Sequence, residues 1–495
     1  MIKSIIFCNF RNLDGKTYEF TDKFNLIIGK NGSGKTNILD GIRLAFSAFD
    51  GNYFKVNASD FTDSDDGKPI EIIVLLENNA IPSFNQYKEE GVVLCGFRVT
   101  IHKTSRGAYR KSFYNYDGSP ASSDIVMSDE KIPSVYFLPM RRVDDIYSEY
   151  ASISLDQFID SEQTYTSLRK DFSESVASRL ESEISTFKLF SKKFGKNFDV
   201  ELNGIKTSGE KIYVVDGTKA HNRSIGAGYR SIANIILNTT GGGYGIILLD
   251  ELENHLHPAL LRTLVQELKS KKDILIVATT HSPVAINQMK IKELIDSTGG
   301  NVGDLIDGAT IGDKTEEIIK KLDIFLHPGR NELILADKVI IVEGFSEELV
   351  LRNYIENNNM NITIVNAQGV MFEPYLVLAK VLGKHVVAIS DNDRSQSEDG
   401  KESTTRFNNL KALCAKLIIP LLEIDNTFET DIHNEFGDTM ASTLKEMLEP
   451  HKKHAGIIVS KSNKKTEFAT GLIESSVDLS NWHVIRDLVN EFKNN

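Results

Sequence analysis

Two sets of residues in this chain have types and spacings that could do chemistry. The first is Gly29-Lys30-Asn31-Gly32-Ser33-Gly34-Lys35-Thr36, which fits G-x-x-x-x-G-K-[ST]. Gly29, Gly32 and Gly34, with Asn31 among them, let successive backbone N–H groups converge on phosphate oxygens at the positive end of a helix. Lys35 then reaches the β- and γ-phosphates of a nucleotide, and the Thr36 hydroxyl suits a Mg²⁺ ion. Its partner is Ile246-Ile247-Leu248-Leu249-Asp250-Glu251. Four apolar strand residues deliver Asp250 to the same metal shell and Glu251 to a position where it polarises an attacking water. A third apolar run ends in Thr279-Thr280-His281-Ser282, which places His281 to sense the γ-phosphate. Together the three predict a nucleotide site.

The second set is acidic. Val339-Ile340-Ile341-Val342 runs into Glu343-Gly344, and Val386-Val387-Ala388-Ile389 runs into Ser390-Asp391-Asn392-Asp393. In a doubly wound parallel sheet the carboxyl ends of neighbouring strands open into the crevice where ligands bind. Glu343, Asp391 and Asp393 converge there if their two strands are adjacent. Three such carboxylates repel one another unless a divalent cation neutralises them, Mg²⁺ first and Mn²⁺ second.

The elements that must position these residues are legible as hydrophobic patterns. Strand-like runs cover 2–8, 24–28, 71–77, 91–103 and 108–116, the later ones predicted antiparallel. A helix is expected from Asn37 to Phe49. From 144 to 200 apolar residues recur at three- and four-residue steps, from Leu155 to Phe190, which predicts a helical insertion. Strands return at 198–202, 211–215 and 245–249, then helix 258–271 and strand 273–279. From 338 a second alternation sets in: strand 338–342, helix 346–357, strand 361–365, helix 371–383, strand 385–390. The chain is therefore α/β, with parallel units in its second part. The expected divisions are 1–143, 144–200, 201–335 and 336–495.

Composition narrows the function classes. Lys plus Arg number 57 and Asp plus Glu 69, for a formal charge of −12. Binding of nucleic acid through bulk positive charge is excluded, so such contacts need a local basic patch or metal ions. Lys452, Lys453, Lys461, Lys464 and Lys465 form one candidate patch. Three cysteines, Cys8, Cys95 and Cys414, make neither a disulfide framework nor a zinc site. With no apolar run of membrane-spanning length, a cytoplasmic protein is expected.

The nucleotide motifs resemble the ATP-binding cassette ATPases of the SMC and RecF type, through Phe10-Arg11-Asn12 and Asp250-Glu251-Leu252-Glu253-Asn254-His255-Leu256-His257-Pro258. That resemblance implies two heads sandwiching ATP, each lending a signature loop to its neighbour. The best match is Ser224-Ile225-Gly226-Ala227-Gly228-Tyr229-Arg230, with Gly226 and Gly228 against the phosphate; it departs from Leu-Ser-Gly-Gly-Gln. A glutamine loop would fall near Asn57–Phe61, which holds Asp60 and no Gln. The Glu343…Asp391-x-Asp393 pattern looks like the Toprim fold of topoisomerases, primases and nucleases of the OLD (overcoming lysogenization defect) family. A topoisomerase would add a nucleophilic tyrosine on a breakage domain, and a primase a zinc or helicase-contact module. The order of ATPase, helical insertion, ATPase and Toprim resembles the OLD family across nearly the whole chain.

By that resemblance Glu347 joins as a second metal's ligand, Glu429 or Asp431 as a distal acid, and Lys465 as a charge-stabilising lysine. It also implies an ATP-regulated, Mg²⁺- or Mn²⁺-dependent DNA endonuclease of antiphage defence, self-associating through its heads and insertion. A helicase, or a retron reverse transcriptase with its RNA–DNA, is the implied kind of companion. The competing expectation is an ATP-switched DNA-binding clamp or repair ATPase whose Toprim unit is only a scaffold.

Overall fold

Strands that read as largely apolar runs are buried on both faces. Phe24–Ile28, Ile246–Leu249 and Leu275–Thr279 have no exposed residue, as interior strands of a parallel sheet require. The computed structural model describes residues 2–138 and 198–493, apart from 22, 48–55, 78–85, 90–91, 120–134, 202–211, 216–217, 222–227, 229–230, 233–234, 237–238, 240–244, 272, 310–313, 326–330, 370, 393–401, 452–455, 462–463 and 476. The expected helical insertion lies outside the described residues up to 197. The chain divides into two compact units, Met1–Asn301 and Val302–Asn495.

The first unit holds three sheets. β1 (Ile2–Cys8), β2 (Thr17–Glu19), β4 (Ile70–Glu77), β5 (Gln86–Glu89), β6 (Val92–Lys103) and β7 (Tyr109–Asn115) form an antiparallel sheet in the order β2-β1-β4-β6-β5, with β7 also on β6. The second sheet contains β3 (Phe24–Ile28), β8 (Val135–Leu138), β12 (Ile246–Leu249), β13 (Leu275–Thr279), β14 (Leu294–Asp296) and β15 (Gly300–Asn301). Its order is β15-β14-β3-β13-β12-β8, parallel except for β15. β9 (Phe198–Glu201), β10 (Ile212–Val215) and β11 (Thr218–His221) make a small antiparallel sheet. Helix α1 (Lys35–Phe46) joins the first two sheets in one core, placing Ile38, Leu39 and Ile42 with Phe7 and Phe97 of one and Ile27, Leu248 and Val277 of the other. Each such buried side chain is worth about 1.5–3 kcal/mol. Gly41 faces the Phe7 ring so closely that a Cβ would collide with it.

The second unit is built on β16 (Lys338–Val342), β17 (Thr363–Asn366), β18 (His385–Asp391) and β19 (Leu421–Ile424), all parallel in the order β17-β16-β18-β19. The doubly wound order expected from the alternation is therefore present, with the first and third strands adjacent. Helices α2 (Phe345–Asn357), α3 (Phe372–Val381), α4 (Glu402–Leu417), α5 (Phe428–Phe436), α6 (Lys465–Glu474) and α7 (His483–Lys493) accompany them. A two-strand ribbon, β20 (Leu448–Pro450) with β21 (Ile458–Ser460), completes the unit. Trp482 is fully buried in a core with Phe428, Phe468 and Leu488. No described helix is long and apolar enough to cross a membrane.

Candidate functional site

The nucleotide motifs assemble because β3, β13 and β12 are consecutive strands of one parallel sheet. Three motif glycines have positive φ: Gly29 at 147°, Gly32 at 73° and Gly34 at 102°. A Cβ on Gly29 would strike the Ser297 hydroxyl, and one on Gly34 the Asn12 amide, so side chains are shut out of the loop on two sides. Lys35 Nζ donates to the carbonyl oxygens of Gly29 (3.0 Å) and Lys30 (2.8 Å). Burial lowers the Lys35 pKa, and the negative charges of Glu251, Asp250 and Glu253 act against that shift. Thr36 Oγ1 donates to both carboxylate oxygens of Asp250 at 3.2 Å, and Thr279 Oγ1 donates to Oδ1 at 2.7 Å. The Glu251 N–H donates to Thr279 Oγ1 at 2.7 Å, while Glu251 takes the left-handed backbone region at φ 47°. A non-glycine residue held there is constrained by its surroundings, a common feature of functional turns.

Glu253, unassigned by sequence reasoning, accepts from Thr280 Oγ1 and from the His281 N–H, both at 2.6 Å. Its only sequence signal was membership of the acidic run. Burial lowers the His281 pKa and nearby Lys35 lowers it further, so the imidazole is neutral at neutral pH. Arg11 is a brace: its guanidinium donates to Asp60 (2.9 Å), Asn37 (2.8 Å) and Asp40 (2.6 Å), tying the turn after β1 to α1. Asp60, which stands where a glutamine loop was sought, is thereby engaged with Arg11. Asn12 Nδ2 donates to the Ser33 carbonyl at 3.0 Å and so holds the phosphate loop itself. Asn31 lies exposed on that loop. Gly228 lies against the His255 carbonyl, where a Cβ would collide; Gly226 lies outside the described residues.

In the second unit β16 and β18 pair in parallel register, Val342 opposite Ile389. Their ends therefore meet: Ser390 Oγ donates to Glu343 Oε2 at 2.8 Å, and Asp391 is the next residue. Asp391 ends β18, while Asp393 lies outside the described residues. Glu343 Oε1 forms an ion pair with Arg406 of α4, a residue that sequence reasoning did not single out. Glu347 follows one turn into α2 and is 6% exposed. Its pKa is pushed up to about 7, chiefly by burial; Glu343 and Glu429 raise it further, and a backbone N–H and Lys465 pull the other way.

Glu429, in the first turn of α5, is buried and accepts from Ser460 Oγ at 2.7 Å, with Lys465 Nζ at 4.0 Å. Asp431 is on the same turn but turned elsewhere: its Oδ2 accepts from Trp482 Nε1 at 2.7 Å and stands 2.9 Å from His483 Nε2. Residues two apart on a helix do not share a face, so Glu429 joins the cluster and Asp431 does not. Of the lysine patch, Lys464 pairs with Glu467 and Lys461 donates to the Glu446 carbonyl; Lys452 and Lys453 lie outside the described residues.

Among the described residues no three Asp, Glu, His or Cys side chains are gathered closely enough to hold a metal ion as they stand. The donor chemistry still suits a hard divalent cation. Glu343, Glu347 and Glu429 offer only oxygen, and Glu347, whose pKa is held up chiefly by burial and further by Glu343 and Glu429, is a carboxylate whose charge such a cation would stabilise.

Family models of known proteins match parts of both units. Residues 1–130 match a family model described as an AAA ATPase domain, and 229–287 one described as an AAA domain, putative AbiEii toxin, type IV TA system. Residues 334–393 match the TOPRIM domain model of overcoming lysogenization defect-like proteins. The chain is similar to Septu protein PtuA of Bacillus thuringiensis, 24% identical over 60% of this chain and 75% of that protein. Endonuclease GajA of Bacillus cereus is 25% identical over 40% of this chain and 35% of its own length. DNA replication and repair protein RecF of Phocaeicola vulgatus is 31% identical over 18% of this chain. The match takes in only 27% of that RecF. Among solved structures, an SMC head bound to the C-terminal winged-helix domain of ScpA overlaps 58% of this chain and 92% of its own, at 17% identity and a TM-score of 0.42.

Proposed function

Because this chain joins an AAA-type ATPase domain to a Toprim domain of the OLD type, we propose that it is an ATP-regulated, divalent-metal-dependent endonuclease that nicks or cleaves DNA. ATP binding and divalent metal binding belong to these two domain types in general; Mg²⁺ or Mn²⁺ is the ion the oxygen donors favour. The observation that carries the reading is that Glu343 ends its strand against the Ser390-Asp391 turn, with Glu347 within electrostatic reach of Glu343, Glu429 and Lys465. A bound cation would neutralise the scissile phosphate and make a water nucleophilic. The chain's own part is to present that phosphate. Glu343 is oriented by Ser390, and Glu429 by Ser460, so neither carboxylate must reorganise when charge develops. Lys465, 72% exposed in its side chain, is free to swing from Glu429 onto a phosphate oxygen and stabilise added negative charge.

In the first unit, Lys35, Thr36 and the loop N–H groups bind the nucleotide, Asp250 holds its metal, and Glu251 and His281 address the γ-phosphate. Gly226 and Gly228 would meet the ATP of a second copy, in a cytoplasmic homodimer closed by nucleotide. A relative named as an endonuclease and the OLD-type Toprim match support antiphage defence as the setting. The test is nicking of supercoiled plasmid with Mg²⁺ or Mn²⁺, with and without ATP. Cutting is expected in the wild type and lost in Glu343→Gln. Metal-dependent DNA binding without cutting would instead favour the scaffold reading, toward which the Arg406 pair on Glu343 points.

A further inference from the structure

Beside Glu343 lies a cleft of about 740 Å³ that the metal chemistry leaves unused, bounded by the end of β16, the start of α2 and the turn after β17. Its volume falls in the range of small-ligand pockets, roughly 300–1,000 Å³. At its mouth Phe345, the first residue of α2, is 56% exposed, one of few large hydrophobic side chains so placed. Gln368, which also lines the cleft, is exposed and held in the left-handed region at φ 49°, its N–H donating to the Asn366 side-chain oxygen at 2.8 Å. The charges of the walls select against phosphate. Glu332, Glu343, Glu348 and Arg352 line the cleft; Arg406 pairs with Glu343 and Arg352 with Glu348 at 2.9 Å, so both cations are already committed and none is offered to a phosphate. An aromatic face, an amide and charges paired with one another suit a flat, neutral ring with hydrogen-bonding edges, not an anion.

We propose that this cleft receives an unstacked nucleobase of the nucleic-acid strand being acted on, with Phe345 as its stacking platform and Gln368 reading its edge. The proposal rests on the nuclease reading for its substrate class and adds a base-positioning residue to it. Phosphate stays outside the cleft, toward Glu347, Glu429 and Lys465, which do not line it; the neighbouring base turns into the cleft. Single strands, ends and distorted duplexes, whose bases leave the stack cheaply, are the favoured substrates.

The experiment uses the full chain and a single-stranded oligonucleotide carrying 2-aminopurine, in Ca²⁺ to support binding through oxygen ligands. Wild type and Phe345→Trp are expected to change the 2-aminopurine emission on binding. Phe345→Ala, with an unchanged melting temperature, is expected to bind at least about fivefold more weakly and to lose the emission change. Equal affinity and equal emission change in Phe345→Ala would overturn the site, even if plasmid nicking is intact. A Phe345-dependent signal in a protein that does not nick plasmid removes the cutting and leaves the base site standing.

Discussion

Replacing Glu347 by Gln should stabilise the metal-free second unit at high pH, although it alters a buried residue of the candidate site. In the folded chain this carboxyl titrates near 7, against 4.5 as its ordinary value. A raised carboxyl pKa means the folded state holds its proton more tightly than the unfolded one. Stability is therefore greatest below about pH 4.5 and is lost as pH rises toward 7, levelling off above that. Holding the carboxylate charged at high pH costs the fold about 3 kcal/mol, and burial at 6% exposure leaves little solvent screening to reduce it. Gln mimics the neutral carboxyl and escapes the penalty. Trp482, the one tryptophan of the chain, is buried in this unit's core and reports its unfolding alone. Urea titrations in EDTA, followed by its fluorescence, should show Glu347→Gln more stable than wild type by about 3 kcal/mol at pH 8 and by less than about 1 kcal/mol at pH 5. Mn²⁺ should then narrow the gap by stabilising the wild type. A pH-independent difference, or a variant weaker at pH 8, would refute the burial of a proton-holding Glu347.

Other outcomes follow from the same geometry. Lys35→Ala should weaken binding of a fluorescent ATP analogue by about 10- to 100-fold, since a charge-assisted phosphate contact is lost; unchanged affinity would remove the phosphate loop from function. Arg11→Ala removes the guanidinium from buried Asp60 and half-buried Asp40 and should cost about 2 kcal/mol, seen as a fall in the first unit's melting temperature. Arg11→Lys should recover only part of it, because one ammonium cannot copy the three-way fork. Glu429→Gln should abolish plasmid nicking at nearly normal stability, whereas Asp431→Asn should lower stability through Trp482 and His483 and leave the per-molecule nicking rate close to wild type. The reverse pattern would make Asp431 the functional acid.

Much of the scaffold was legible in the chain itself. The strand before Gly29, the helix after Lys35, the run ending at Asp250 and the β/α alternation after 338 depend on local periodicity and on glycine's access to positive φ, both written residue by residue. Short elements were not: β14 and β15 hold three and two residues, too few to show any period, and exist because β14 pairs with β3 and β15 with β14. Asp60, sought as a stand-in for a glutamine loop, proved to belong to the Arg11 brace, a contact between residues 49 positions apart.

The sequence by itself determined which residue types stand at strand ends: a lysine and threonine after one, an aspartate after the next, glutamate and aspartate after two more. Only the tertiary structure decided which of them meet. Glu429 and Asp431 are two residues apart and chemically alike, yet helix geometry points one at Glu347 and Lys465 and the other at Trp482. Arg406 on Glu343, Glu253 on His281 and the cleft beneath Phe345 likewise arise where distant segments are packed together, and the long-range pairing that does so leaves no period in the chain.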